Sequence, residues 1–355
     1  MLHTPIYDPE KTFEENYHEG PFGEYADSEA YMNEGEPQTD FLGVKVYLPF
    51  GIPAGPLPTS NHVAAVFRKG YDIAVYKTVR SQAYECHPKP NIVPLQITGD
   101  LTLEKADRGV TASTKYTEPL AITNSFGVPS FSPDVWQPDL EAATQAAGHG
   151  QVVVGSFQGT NRGEGEDAFI KDHAIAAKLV KETGVPVMEM NASCPNEGST
   201  NLLCFDTDRM EKILTAVKNE IGDTPLIVKL AYFKDQNHLA DYVKRLGKLV
   251  DGFATINTIS AEIRDASGKQ ALPGEGRLRS GICGAPIKWA GLEMVARLKK
   301  LREENNMKFA VIGVGGVTKP EDYFEYMNAG ADAVMSATGA MWNPFLAQEI
   351  KSQVK

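Results

Sequence analysis

Eight short apolar runs, each separated from the next by polar or helically spaced sequence, constrain this chain more than any other feature. The runs are IAVYKTV (73–79), LAITN (120–124), QVVVGSF (151–157), VPVMEMNAS (185–193), PLIVKLA (225–231), GFATINTI (252–259), FAVIGVGG (309–316) and ADAVMSAT (331–338). They are nearly continuous in apolar and β-branched residues, which is how strands buried on both faces read. Between them, apolar residues recur three and four apart. The stretch 166–184 gathers Phe169, His173, Ala176, Ala177 and Val180 on one face, and 206–222 starts from Asp206 as a cap and stops at Gly222. The stretches 238–250, 291–305 and 320–330 complete the set of helices. Alternation of this kind from residue 73 to residue 338 predicts an α/β fold, a closed (β/α)₈ TIM barrel. A doubly wound open sheet is the alternative, but its Gly-rich turn after the first strand is missing.

Residues 1–42 are polar, with little periodicity. They are expected to form an N-terminal arm that wraps the domain or a partner, or is partly disordered, ahead of a catalytic domain spanning 43–355. Two segments, 96–119 and 260–280, exceed ordinary loop length and are expected to be functional or mobile loops.

Composition narrows the function. The 355 residues carry a net charge of −11 with no basic stripe, which argues against nucleic acid as a partner. No window reaches the ~18 apolar residues of a membrane span, and the acidic start does not read as a secretory signal. Four cysteines, Cys86, Cys194, Cys204 and Cys283, show no CxxC spacing. They read as reduced thiols of a cytoplasmic protein rather than a disulfide framework or a metal site.

In a barrel, chemistry gathers where strands end. Those ends hold Lys77, Asn124, Asn191 with Cys194 and Asn196, Lys229, Asn257 with Thr258, Gly315 with Gly316, and Thr338. Asn caps turns readily, so one such amide means little, but four converging on one face point to a polar planar ligand. Lys77 and Lys229 sit inside apolar runs, either snorkelling outward or supplying fixed cations to a bound ring. GVGGV (313–317) exposes backbone N–H groups after the seventh strand, where barrels of this kind bind phosphate. Cys194, in the turn NASCPNEGST (191–200), is placed to act as a base or nucleophile, with a partly buried loop thiol as the plainer reading.

Eight segments in order, YKT followed by HPKPNIVPL, then NSFGVPS, NASCPN, VKL, INT, GICGAPIK and GVGGV, resemble the dihydroorotate dehydrogenase family across roughly residues 43–350. The resemblance implies an FMN-binding barrel that oxidises dihydroorotate to orotate in pyrimidine biosynthesis. The cysteine in NASCPN is similar to that of the soluble class. NSFGVPS is similar to the homodimeric branch that uses fumarate as its soluble acceptor. By the same resemblance, Cys194 takes the C5 proton while hydride leaves C6 for flavin N5. Asn124, Asn191, Asn196, Asn257 and Thr258 bind the pyrimidine, with Lys77 between flavin and substrate. Lys229 lies at the N1/O2 edge. Ala54 and Gly55 let the ring approach the backbone, Thr78 and Asn191 also bind the cofactor, and Gly284, Gly315, Gly316, Ala337 and Thr338 hold the phosphate end. The sequence departs from the family in its arm, in the 96–119 segment, in STNLLCFD (199–206) after the catalytic turn, and in Ala337 where glycine is common. Rival functions are a flavoprotein acting on another pyrimidine or cyclic amide, a non-catalytic flavin-binding barrel, and a phosphate-sugar isomerase.

Overall fold

The computed structural model describes residues 2–193 and 202–354. Its centre is a closed barrel of eight strands, here β1 to β8: Phe50–Ile52, Ile73–Val79, Val152–Phe157, Val187–Asn191, Leu226–Leu230, Gly252–Thr255, Ala310–Val314 and Ala333–Met335. Neighbours in sequence are neighbours in space and every pairing is parallel, with β8 closing onto β1. The helices predicted from spacing form the outer ring at Glu166–Glu182, Thr207–Ile221, Gln236–Leu246, Lys288–Glu304 and Pro320–Ala329. Asp206 caps its helix as expected, accepting from the Arg209 N–H at 3.0 Å. No helix of the described residues is long and apolar enough to cross a membrane.

One of the eight predicted runs does not belong to this barrel. LAITN supplies Ala121–Asn124, which pairs antiparallel with Ile92–Gln96 and Arg279–Gly284 in a separate sheet at the barrel mouth. The true first strand is FGI, only three residues between Pro49 and Pro53, too short to show any period. Its glycine is obligatory, because a Cβ on Gly51 would stand 2.1 Å from the Ile73 carbonyl oxygen.

The two long segments are not loops throughout. Each contributes a strand, Val110–Ala112 and Ile259–Arg264, and these complete a second closed sheet of five strands at the mouth; between the strands, apart from the short helix Leu103–Arg108, the chain is turn and irregular. The sheet's local antiparallel pairs close around buried Ile92, Leu95, Ile122, Ile259, Ile263 and Ile282. Arg277 pins it from the side, donating to the carbonyls of Ser125 (2.9 Å), Pro88 (2.7 Å) and Pro90 (3.2 Å).

The arm is packed against the domain. Ile6, Tyr7, Phe13 and Tyr25 are buried, and the Ile6 N–H donates to the Met341 carbonyl at 2.9 Å. Its helix Phe13–Glu19 is closed by a capping box between Thr12 and Glu15, so even this polar stretch holds a local start signal.

Candidate functional site

The C-terminal ends of the strands open into a cavity of about 1110 Å³, solvent at its entrance included. Ala54 and Gly55 follow β1, Lys77 and Thr78 lie on β2, and Asn191 ends β4. Lys229 lies on β5, Asn257 and Thr258 follow β6, and Ala337 with Thr338 follow β8. Asn124 reaches the same cavity from the mouth sheet.

Neither lysine snorkels to water. Lys77 is 8% and Lys229 4% exposed. Lys77 Nζ donates to the Pro129 carbonyl at 2.9 Å and lies 5.2 Å from the centre of the Phe13 ring of the arm. Lys229 Nζ reaches the Ala54 carbonyl at 3.4 Å, on the far side of the barrel opening. Buried ammonium groups stabilise negative charge far more than exposed ones do.

The amides are oriented rather than loose. Asn191 Nδ2 donates to Gln158 Oε1 at 2.9 Å, while its Oδ1 accepts from both the backbone N–H and the hydroxyl of Ser193 at 3.2 Å. Asn257 Nδ2 donates to the Ser193 carbonyl at 3.1 Å, and Asn124 Nδ2 to Cys283 Sγ at 3.2 Å. Such bonds fix which edge of each amide faces the cavity.

Cys194 and Asn196 lie outside the described residues. Gly284, Gly315 and Gly316 are not among the residues that line the cavity; Val314 and Cys283 are. Gly315 and Gly316 nonetheless make a turn with φ of 119° and 72°, and a Cβ on Gly316 would meet Lys288 at 2.6 Å, so glycine is required there. The helix Pro320–Ala329 begins four residues past that turn, while Ala337 and Thr338 open the short helix Thr338–Trp342 directly on the cavity.

Sequence reasoning missed the apolar half of the wall: Tyr7, Ile92, Ile122, Phe126, Val128 and Met341. Tyr7 comes from the arm and meets Phe126 edge-on at 5.7 Å. No periodicity signals such a residue, because only the folded arm brings it to the cavity. Cys283 is also new, and burial pushes its thiol above the ordinary range. Cys204 fits its reading as a buried structural thiol, with its pKa pushed up to about 12.

Function in such barrels sits at this face, and a deep cavity with fixed cations and oriented amides marks an enzyme acting on a polar small molecule. Within that class the chain belongs to the dihydroorotate dehydrogenase family, whose model matches residues 37–355. A dihydroorotate dehydrogenase of Dictyostelium discoideum is 34% identical over 365 aligned positions, covering 98% of this chain and 97% of that protein. A quinone-type dihydroorotate dehydrogenase of Pseudarthrobacter chlorophenolicus is 25% identical, over 89% of this chain and 84% of the relative. An NAD(+)-type catalytic subunit of Thermodesulfovibrio yellowstonii is 28% identical over 74% and 82%. The crystal structure of an Eimeria tenella DHODH in complex with ferulenol matches with a TM-score of 0.69 over 91% of this chain and 86% of that one. At 20% identity that likeness concerns the fold.

Proposed function

We propose that this protein oxidises dihydroorotate to orotate in pyrimidine biosynthesis, with FMN as its cofactor. The observation that carries the reading is the convergence of Lys77, Lys229 and three amides on one cavity in a chain of this family. The residues present suit a flavin. Gly55, at φ 145°, has no atom within 4 Å of where a Cβ would stand, so a flat ring can lie against its backbone. Thr338 with the Gly315–Gly316 turn behind it suits the phosphate.

FMN held here would supply a two-electron acceptor for the hydride of substrate C6. Lys229 would supply a fixed positive charge to the edge of the ring where negative charge develops. Lys77, which lines the same cavity, would lie between ring and substrate. Asn124, Asn191, Asn196, Asn257 and Thr258 hold the pyrimidine, so that its C5–H faces the base. Cys194 receives that proton. The mouth sheet and the arm exclude water from above.

A homodimer is the assembly proposed, with fumarate as the soluble acceptor and the cytoplasm as the compartment. The thiols Cys86, Cys204 and Cys283 are free of disulfides, in keeping with a reducing compartment. The test is direct. Purified protein is expected to be yellow, to release FMN on denaturation, and to be bleached anaerobically by dihydroorotate. A colourless preparation that FMN cannot reconstitute overturns the flavin, and a flavoprotein that dihydroorotate does not bleach overturns the substrate. Reoxidation by NAD alone, together with a co-purifying subunit, overturns the fumarate assignment.

A further inference from the structure

Below the cavity floor the barrel holds a carboxylic acid that the reaction as described does not use. Glu189 lies on β4 with its side chain fully buried. It shares a face with Asn191, two residues on, which lines the cavity. In the strand register Glu189 stands opposite Ser156 of β3 and opposite Ile227 of β5, while Asn191 stands opposite Lys229. Glu189 Oε1 accepts from the Ser156 hydroxyl at 3.2 Å, and that hydroxyl is 2.9 Å from the hydroxyl of Thr78. The other oxygen, Oε2, is buried with no hydrogen-bond partner.

An acid so placed is costly, and a fold has no need of it: an apolar residue would fill this layer at less expense. Two routes lead from it to the cavity. One runs through hydroxyls to Thr78, the other through space to Lys229. Thr78 and Lys229 both line the cavity. Burial pushes the Glu189 carboxyl upward, and the nearby Lys229 is the larger of the two influences that pull it back.

Resting on the flavin reading above, we infer that Glu189 is a positioning residue that sets the redox poise of the bound ring through Lys229. Its carboxylate lies one layer below Lys229 in the strand register and offsets part of the positive field at the ring. A lone lysine would favour the reduced cofactor strongly and slow the passage of electrons onward. The buried counter-charge holds the cofactor between its donor and its acceptor, and the Ser156 hydroxyl keeps the carboxylate in place.

The test is the midpoint potential of the FMN-loaded protein, measured by anaerobic dye equilibration. Glu189→Gln removes the charge at nearly constant volume. It is expected to favour the reduced cofactor by about tenfold, about 30 mV toward positive for a two-electron couple. The ratio of apoprotein affinities for reduced and oxidised FMN should rise by the same factor. In a Lys229→Ala background the same substitution should move both quantities far less, since burial without the ammonium nearby favours the neutral acid and leaves no charge to remove. Glu189→Leu gives the same sign by an independent route should the glutamine variant fail to fold. A wild-type protein that takes up no FMN overturns the flavin reading and this inference with it. A wild type that holds FMN, with an unmoved potential in these variants, or an equal shift with and without Lys229, overturns this inference alone.

Discussion

Lys229 is held at 4% exposure, with its Nζ 3.4 Å from the Ala54 carbonyl oxygen. A cation kept dry is ready for a ligand's negative charge, because no solvent has to reorganise when that charge arrives. Lys229→Ala is therefore expected to weaken FMN retention and to slow flavin reduction by about 3 kcal/mol of barrier. Equilibrium dialysis and anaerobic stopped-flow absorbance measure the two effects separately. Cys194 is to be tested in the same way, from its place in NASCPN. Cys194→Ala should keep FMN and still bind orotate, while flavin reduction falls about 10²–10⁴-fold. Cys194→Ser should fall between, since a hydroxyl is the weaker base at neutral pH. Reduction of the alanine variant at the wild-type rate would remove Cys194 from the role of base.

At the scale of elements, the outer helices carry a pH dependence of their own. Helix Glu166–Glu182 buries His173 completely against β3, with Nδ1 3.0 Å from the Phe169 carbonyl and Nε2 unpartnered. Desolvation is the main cause that lowers its pKa from 6.5 to about 4, opposed by the Phe169 carbonyl and Asp172. The folded pKa lies below the unfolded one, so the unfolded chain binds the extra proton first as pH falls. The stability owed to neutral His173 is present above pH 6.5 and is lost between 6.5 and about 4. By pH 5 that loss amounts to about 2 kcal/mol. His62, lowered by burial to about 3, adds a loss of the same sign. Urea unfolding at pH 7.5 and pH 5 should show His173→Phe losing about 2 kcal/mol less than wild type over that interval. Equal losses in the two proteins would mean that His173 is not buried in its neutral form.

Across the whole molecule, the arm is a structural part of the site. The family's model begins at residue 37, whereas the Dictyostelium relative aligns over 98% of the chain. The arm's Tyr7 lines the cavity, Phe13 lies against Lys77, and the Tyr25 hydroxyl donates to the Ala340 carbonyl at 2.6 Å beside the helix Thr338–Trp342. Removing residues 1–36 should cost on the order of 5 kcal/mol, since four large side chains lose their burial. It should also loosen FMN, because the wall beside Thr338 loses its backing. The urea midpoint and flavin fluorescence on dilution check the two effects. A truncated protein of unchanged midpoint that keeps its FMN would show the arm to be dispensable.

Seven of the eight barrel strands, and the helices that follow the later ones, were legible from spacing, because a strand buried on both faces and a helix buried on one each impose a local pattern on the residues that form it. The two lysines stood out for the same reason: a charge inside an apolar run is a local anomaly. FGI was not legible, since three residues hold no period and its strand character comes from pairing with Ile73–Val79 and Ala333–Met335. LAITN has the composition of a barrel strand, and only its antiparallel partners assign it to the mouth. The apolar cavity wall, the seat of Tyr7, and the placing of Glu189 behind Lys229 depend on contacts between residues far apart in the chain. Sequence determined which segments could be strands, helices and ligand-bearing turns, because those are short-range properties. Closure of the barrel, and the distances between groups that closure brings together, were left to tertiary structure.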